Sequence, residues 1–282
     1  MGGKSVNIDY KSFELKTKAG IDYLYSSYIN SLQYEKLHAV STALLDNNSH
    51  NPFLKNSLKL FFFKIDSEEK INNIKKNKLA LDKIHHLSSK EISEFGVKKI
   101  KKGSCIFIPY LSYEIDSILN TLKKRNRKFS INTIEHRPFK SGEIIKDKFQ
   151  CENIRVNVFH DLFFSYALKN CDLCMIPAMA YINEEYVVYP GTEAISVSAK
   201  KRHVPVYVCA SAFKSADKIT IESLLQQRII KDKGEHPKYE IMTNENIHGV
   251  ITETGIYPSD HITEEHERFF QKLFKSFPDK FL

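Results

Sequence analysis

The chain has 282 residues, of which 42% are hydrophobic and 27% are charged, and its formal net charge is +8. This length and apolar content allow a sizeable core in one large domain or two unequal ones, and they argue against intrinsic disorder. No stretch approaches the roughly 20 apolar residues that cross a bilayer, and the first residues lack a signal-peptide pattern, so we expect a cytoplasmic protein with no membrane partner.

The positive charge comes mainly from lysines on the predicted helices, in runs such as Ile74–Lys78 and Leu122–Lys128 that apolar residues interrupt. This spacing is typical of solvated helix faces, so no direct nucleic-acid partner is expected. The five cysteines are an odd number, and Cys105 and Cys209 lie in apolar segments. We therefore expect reduced thiols, no structural disulfide and no cofactor.

From Ile21 to Lys99 the apolar residues recur at helical spacing, which predicts a helical domain over residues 1–100. Within it, Pro52 is placed to enter the first turn of a helix after a turn at 47–51. Leu87–Glu91 resembles a second, capped helix start.

After Lys102 the pattern changes to short apolar runs separated by amphipathic stretches, which predicts an α/β domain over residues 101–282 with a doubly wound, mainly parallel sheet. The predicted strands are Ser104–Ile108, Phe129–Ile134, Arg155–Phe159, Leu173–Pro177, Pro205–Cys209 and Gly249–Thr252, and the predicted helices are Glu114–Lys124, Gly142–Phe149, Leu162–Lys169 and Glu193–Arg202. The loops after the strands should form a binding crevice at the carboxyl edge of this Rossmann-like sheet.

Three loop positions are candidates for binding or catalysis. Arg137 could bind an anion through its planar guanidinium, although an ion pair with Glu135 explains it equally well. Asp161 should cap the helix that follows it, and this interpretation is favoured over acid/base catalysis. The backbone amides at Gly191 and Thr192 open a helix and could bind an anion with the help of the helix dipole.

Other chemical signals are weak. Cys171 and Cys174 have the spacing of a metal or redox pair, but no second ligand pair stands nearby. His85, His261 and His266 are interpreted as surface residues. The chain contains no nucleophile elbow, zinc-protease helix, Walker loop or dinucleotide-binding glycine turn.

Five segments, in this order and spacing, resemble the alpha, beta and delta regulatory subunits of translation initiation factor 2B, a family that also includes ribose-1,5-bisphosphate and methylthioribose-1-phosphate isomerases. The segments are Ile108-Pro109-Tyr110-Leu111-Ser112, Glu135-His136-Arg137-Pro138 with Gly142, Pro177-Ala178-Met179, Val188-Tyr189-Pro190-Gly191-Thr192, and Ile251-Thr252-Glu253-Thr254-Gly255-Ile256-Tyr257-Pro258-Ser259. Val204–Val208, followed by Phe213-Lys214, resembles another strand and loop of the family.

The resemblance also shows which residues are missing. The isomerases carry a catalytic cysteine and aspartate where this chain has Tyr110 and Met179. Methionine cannot titrate, and tyrosine, with a reference pKa of about 10, is a poor substitute for a thiol acid. Arg137, Ser112 and Lys214 are left as a reduced anion-binding set.

The resemblance therefore implies a non-catalytic regulatory or scaffold subunit of a guanine-nucleotide exchange complex that acts in translation initiation, closest in length to the alpha subunit. Its implied partners are sister initiation factor 2B subunits and initiation factor 2, in a dimer or higher oligomer. One alternative is a divergent sugar-phosphate isomerase that uses Asp161, His160 or Tyr110. Another is a module that senses a sugar phosphate or nucleotide without chemistry.

Overall fold

The first part of the chain is helical, as its apolar spacing predicts. A computed structural model describes residues 12–29, 34–64, 70–231 and 234–281, so residues 1–11, 30–33 and 65–69 of the predicted helical domain lie outside the described residues. The helices are α1 (Ser12–Ile29), α2 (Tyr34–Asp46), α3 (Pro52–Phe61) and α4 (Lys70–Lys99). The predicted start of α3 is confirmed, because Pro52 lies in its first turn and the Asn51 side chain accepts the Leu54 N–H.

The helix start predicted at Leu87–Glu91 is wrong, because α4 continues through this segment. The Oγ atom of Ser89 lies 3.0 Å from the Oγ atom of Ser117 on the next helix, and Ser93 Oγ donates to the Lys90 carbonyl. Hydroxyls that are satisfied in this way can stay inside a helix and need not cap one.

The second part is organised around a mainly parallel sheet. In spatial order its described strands are β12 (Ile256–Tyr257), β11 (Gly249–Ile251), β7 (Val206–Cys209), β4 (Leu173–Pro177), β1 (Cys105–Phe107), β2 (Phe129–Ile134) and β3 (Ile154–Phe159). Among these, β12 alone pairs antiparallel to its neighbour. The fold class and all six predicted strands are confirmed, each within one residue of its predicted bounds.

Helices connect the strands in the described part of the chain; the four predicted helices are present, one of them shorter than predicted, and two further helices lie after β7 and β12. In chain order the helices are α5 (Tyr113–Lys124), α6 (Ser141–Phe149), α7 (Phe164–Ala167), α8 (Thr192–Lys201), α9 (Lys218–Leu225) and α10 (Ile262–Ser276). The helix predicted over Leu162–Lys169 is shorter, because Asp161–Phe163 forms a 3-10 turn before α7. In the described part of the chain, no helix has both the length and the apolar composition needed to cross a membrane.

Besides β12, five short strands in the described part of the chain were not predicted. They are β5 (Ala180–Ile182), β6 (Glu185–Val188) and β10 (Glu240–Thr243), which form an antiparallel sheet, and β8 (Arg228–Lys231) and β9 (Gly234–Pro237), which form a hairpin. These strands are too short to show an alternating apolar pattern, and the Gly-Glu-His-Pro segment of β9 has poor strand propensity.

The order of the strands determines where the predicted crevice lies. Because β1 lies between β2 and β4, the sheet changes its direction of winding at β1, and the loops after β1 and β4 face each other there. The helical part packs against the same region, since Leu58 and Leu81 share one apolar core with Tyr110, Met179 and Phe213. A division into two domains at residue 100 stays a prediction.

Two histidines interpreted as surface residues lie inside the protein. His266 is buried on α10 with its Nδ1 atom against the Tyr181 hydroxyl. His85 is partly buried, and its ring lies 4.9 Å from that of Phe53 and 5.0 Å from that of Phe213. The surface interpretation is therefore wrong for both, because packing between the helical part and the sheet encloses these rings.

One buried ion cluster joins the helical part to the sheet. The ammonium group of Lys214 lies 2.7 and 2.8 Å from the two carboxylate oxygens of Glu114 at the start of α5, and 3.3 Å from an oxygen of Glu14 on α1. Burial disfavours the charged lysine, but the two carboxylates outweigh this effect and hold the pKa of Lys214 above its usual range. One cation cannot fully compensate two carboxylates, and burial raises the pKa of Glu14.

We predict that Lys214→Ala lowers the free energy of unfolding by about 3–5 kcal/mol, because it leaves two buried carboxylates without their cation. Arg268→Ala is the matched control, since Arg268 pairs with Glu264 and Glu265 at the surface, where such pairs contribute about 1 kcal/mol or less. Urea denaturation at pH 7 measures both. Equal losses in the two variants would contradict the role given to this cluster.

Candidate functional site

Tyr110 and Met179 lie in the loops after β1 and β4, where the order of the strands in the sheet reverses. Tyr110 follows β1, is only 1% exposed, and donates its hydroxyl to the Pro177 carbonyl at 2.9 Å. The same hydroxyl accepts the Tyr189 N–H at 3.2 Å. Burial raises the pKa of Tyr110 above its ordinary value, so the phenol stays neutral. Met179 follows β4 and is buried in the same core.

An aromatic cluster fills the crevice around Tyr110; it comprises Tyr110, His136, Phe139, Tyr189 and Tyr239. The Tyr110 ring stacks on His136 with centroids 5.0 Å apart and meets Tyr189 edge-on at 4.7 Å. Phe139 lies 5.0 Å from both His136 and Tyr189, and Tyr239 lies 5.3 Å from Tyr189. All five side chains are buried. Their packing leaves little room for a substrate at the centre of the crevice.

His136 is a neutral member of this cluster. Its Nδ1 atom lies 2.7 Å from the Ser141 hydroxyl, and burial lowers its pKa to about 3. Within the described residues its Nε2 atom has no hydrogen-bond partner. At neutral pH, His136 is therefore an uncharged ring and contributes no positive charge for an anion.

Asp161 holds the loop that carries His136. Its two carboxylate oxygens accept the backbone N–H groups of His136 and Arg137, the latter at 2.8 Å. His136 has the left-handed backbone conformation, with φ of 55°, which is uncommon for a residue other than glycine. The predicted capping of its own helix by Asp161 is wrong, because the carboxylate binds the neighbouring loop instead.

Arg137 forms the ion pair that the sequence left as an alternative. Its Nε atom lies 2.7 Å from one oxygen of Glu135, and His160 Nδ1 lies 2.9 Å from the other. The hydrogen bond from Arg137 lowers the pKa of Glu135. The Arg137 side chain is nevertheless 64% exposed, so this pair does not exclude a further anion.

A cavity of about 280 Å³ lies beside Arg137. Its lining residues are His136, Arg137, Pro138, Phe139, Pro190, Ile229, His236 and Pro237. It is the remaining open part of the crevice near the predicted anion-binding loop.

The start of α8 holds an internal carboxylate. Gly191, with φ of 88°, precedes the helix as predicted, and Thr192 donates its hydroxyl to the Tyr189 carbonyl. A carboxylate oxygen of Glu240 on β10 accepts the Glu193 N–H at 2.9 Å. A carboxylate of the protein therefore binds the N–H group that follows the two amides, of Gly191 and Thr192, at which the sequence predicts an anion.

The predicted anion-binding residues do not form one group. Ser112 caps α5 by accepting the Ile115 N–H, and Lys214 is enclosed in the ion cluster with Glu114. Arg137 lies at the cavity whose rim includes Pro190, next to Gly191. Sequence reasoning missed the carboxylates of Glu114 and Glu240, because no local signal identifies partners that are distant along the chain. Binding of an anion at Arg137 and Gly191 stays a prediction.

Comparisons with known proteins identify the family of the chain and two kinds of relative. A model of the initiation factor 2 subunit family matches residues 47–259. An eIF-2B subunit 2-like translation initiation factor of Pyrococcus furiosus is 29% identical over 174 residues, covering 60% of this chain and 63% of the relative. Ribose 1,5-bisphosphate isomerase of Methanocaldococcus jannaschii is 23% identical over 198 residues, covering 65% and 64%. The chain thus spans less than two thirds of either relative.

Solved structures show the same fold. The translation initiation factor eIF-2B of Pyrococcus horikoshii superposes with a TM-score of 0.74 at 17% identity, covering 87% of this chain and 90% of the other. The tetrameric eIF2B-beta2-delta2 complex of Chaetomium thermophilum contains a chain with a TM-score of 0.66 at 14% identity, covering 89% and 88%. At these identities the likeness concerns the fold alone.

We predict that Tyr110→Phe lowers the free energy of unfolding by about 1–3 kcal/mol, because the Pro177 carbonyl and the Tyr189 N–H both lose a buried partner. Tyr23→Phe is the control, since Tyr23 is exposed on α1 and its change should stay within about 0.5 kcal/mol. Differential scanning calorimetry of both variants tests this. If Tyr110→Phe were as stable as the wild type, the hydroxyl would not link the two loops.

Proposed function

The chain belongs to the initiation factor 2 subunit family, and we propose that it acts as a non-catalytic regulatory or scaffold subunit similar to those of the initiation factor 2B exchange complex. The observation that carries this proposal is the aromatic cluster at the point where an isomerase of the family would hold its substrate. Its proposed partners are sister subunits of the same fold and initiation factor 2, and its proposed place of action is the cytoplasm.

The chemistry of the crevice supports a non-catalytic role. Aldose–ketose isomerisation moves a proton between neighbouring carbons, so it needs an acid/base group that reaches both of them. Of the two positions that carry this chemistry in the isomerases, one is Met179, which cannot titrate. The other is Tyr110, whose hydroxyl already donates to Pro177 and accepts from Tyr189. Neither side chain is free to exchange a proton with a substrate.

Asp161 and His160, which would act in the alternative of a divergent isomerase, already have partners within the protein. Asp161 accepts two backbone N–H groups, and His160 pairs with Glu135 at the surface. A general base must be able to approach the carbon-bound proton within hydrogen-bonding distance. The two hydrogen bonds from the loop of His136 and Arg137 hold the Asp161 carboxylate in place and so oppose its movement toward a substrate.

An exposed apolar surface supports assembly with a sister subunit. The α7 patch consists of Leu162, Phe163, Tyr166 and Val197, which are between 51% and 90% exposed. Exposed apolar groups of this kind mark interaction sites more often when they are contiguous. The patch lies beside β3, the edge strand of the main sheet.

The α7 patch is held in place by contacts between two helices. The Ser165 hydroxyl on α7 accepts a hydrogen bond from Arg202 Nη2 at 2.7 Å and lies 3.1 Å from the Ser198 hydroxyl on α8. These contacts fix α7, which carries Tyr166, against α8, which carries Val197. A preformed surface of this kind binds a partner at a lower entropic cost. We propose that its occupant is a subunit of the same fold.

We predict that Leu162→Asp disrupts this assembly, because it places a charge within the apolar patch, at its most exposed residue. Native mass spectrometry of the tagged protein, isolated from its own cells, should give a complex with sister subunits for the wild type. Leu162→Asp should weaken association about tenfold or more, which corresponds to about 1.4 kcal/mol.

Ile219→Asp is the matched control, because Ile219 is 74% exposed on α9 and lies outside the patch. This variant should retain the complex. Loss of the complex in both variants, or in neither, would contradict the assignment of the α7 patch. A wild-type homo-oligomer without sister subunits would contradict the scaffold proposal itself.

The cavity beside Arg137 favours one further candidate, a module that senses a phosphate-bearing ligand without chemistry. The Arg137 guanidinium can form charge-assisted hydrogen bonds to a phosphate. The other residues that line the cavity are mainly apolar. A sugar phosphate or nucleotide would bind here at the rim of the crevice, outside the aromatic cluster.

We predict, for this candidate, that ribose 1,5-bisphosphate raises the melting temperature and that Arg137→Ala abolishes the rise. At a concentration of 100 times Kd, binding stabilises the folded state by about 2.7 kcal/mol. Arg155→Ala is the control, because Arg155 is an exposed arginine outside the cavity. The absence of a shift with sugar phosphates and nucleotides, or an equal shift in Arg137→Ala, would contradict ligand sensing at this site.

A further inference from the structure

The fold brings two cysteine thiols together that are far apart in sequence. The Sγ atoms of Cys105, at the start of β1, and Cys171, just before β4, are 3.4 Å apart. Asp172 fixes the two segments, since its N–H donates to the Cys105 carbonyl at 2.8 Å and its carboxylate accepts the Cys105 N–H at 2.7 Å. The approach of the two sulfur atoms is therefore a consequence of the pairing between β1 and β4.

The two thiols differ in their surroundings. Cys105 is partly exposed, whereas Cys171 is 8% exposed and donates its S–H to the Ala167 carbonyl at 3.2 Å. The Asn132 amide also lies 3.5 Å from the Cys171 sulfur. The adjacent Cys171 thiol, which can donate to the Cys105 sulfur in place of the Ala167 carbonyl, lowers the pKa of Cys105 to about 7, against the opposing effect of burial. Cys105 is thus the accessible and more readily ionised thiol of the pair.

The other cysteines lack these features. Cys174, which has the spacing of a redox pair with Cys171, is fully buried within β4, and Cys209 is fully buried within β7. Cys151 is exposed, at the isolated bridge before β3. The geometry therefore selects Cys105, and not Cys174, as the neighbour of Cys171.

We propose that Cys105 and Cys171 form a reversible disulfide when the protein meets a peroxide. The Cys105 thiolate attacks one peroxide oxygen, the O–O bond breaks, and hydroxide leaves, so that Cys105 becomes a sulfenic acid. The Cys171 sulfur then attacks the Cys105 sulfur, the S–O bond breaks, and water leaves with the Cys171 proton. In total, two thiols and one hydrogen peroxide give one disulfide and two molecules of water, and a dithiol reductant reverses the reaction.

This modification would link β1 to the segment between α7 and β4. Reduced thiols in a cytosolic protein are compatible with it, because disulfides there are usually transient or redox-sensing. Oxidation also removes the S–H group that donates to Ala167, the last residue of α7. The Asn132 amide, which donates to the same carbonyl at 2.7 Å, keeps that carbonyl paired, so the oxidised protein stays folded.

The test treats the full-length Cys151→Ser protein with hydrogen peroxide, so that the exposed thiol cannot link two molecules. The proposal predicts a mass loss of about two hydrogen atoms, a cross-linked pair of peptides containing Cys105 and Cys171, and recovery of both thiols with dithiothreitol. Circular dichroism before and after treatment confirms that each sample is folded.

Two further variants assign the partner, because Cys171 and Cys174 fall in the same tryptic peptide. In Cys174→Ala the cross-link should persist. In Cys171→Ala it should be absent, and a dimedone adduct should accumulate on Cys105. A folded protein that keeps all its thiols after treatment, or a cross-link that Cys174→Ala abolishes while Cys171→Ala retains it, would overturn the proposal.

Discussion

The arrangement of the crevice depends on one buried hydroxyl, that of Tyr110. It connects the Pro177 carbonyl at the end of β4 with the Tyr189 N–H before α8. In a parallel sheet these loops meet where the order of the strands reverses, and that is where such folds usually bind ligands. Here the space is taken by packed rings, because His136 and Phe139 close around Tyr110 and Tyr189. The same packing that stabilises the crevice thus leaves little room for a substrate at its centre.

Internal charges occupy the positions where a ligand's charges would be expected. The start of α8 binds the Glu240 carboxylate, and the loop N–H groups of His136 and Arg137 bind Asp161. Lys214 is neutralised by Glu114 and Glu14 inside the core. Each group is satisfied within the chain, which favours a fixed structure over exchange with a bound anion. Arg137 differs because its side chain remains largely exposed beside a cavity.

The sequence predicts the central sheet well, because buried parallel strands such as β4 appear as continuous apolar runs. It does not predict β5, β6 and β10, whose short pairing depends on neighbours that come together only in the folded chain. The same reason applies to single residues. The sequence predicts that Asp161 caps a helix, but its carboxylate accepts N–H groups that lie 24 and 25 residues away in sequence. The sequence likewise suggests that Lys214 binds an anion. In the folded chain its ammonium group instead donates to Glu114, which lies 100 residues earlier in the sequence.

The chain belongs to the initiation factor 2 subunit family, and we propose that it lacks the isomerase reaction for which one of its relatives, ribose 1,5-bisphosphate isomerase, is named. The most direct measurement incubates the purified protein with ribose 1,5-bisphosphate and with methylthioribose 1-phosphate and follows formation of the ketose. If the chain is non-catalytic, as we propose, we expect no turnover above that of a protein-free control. Turnover that disappears in Asp161→Asn, in a variant that remains folded, would contradict it and would make the chain an isomerase.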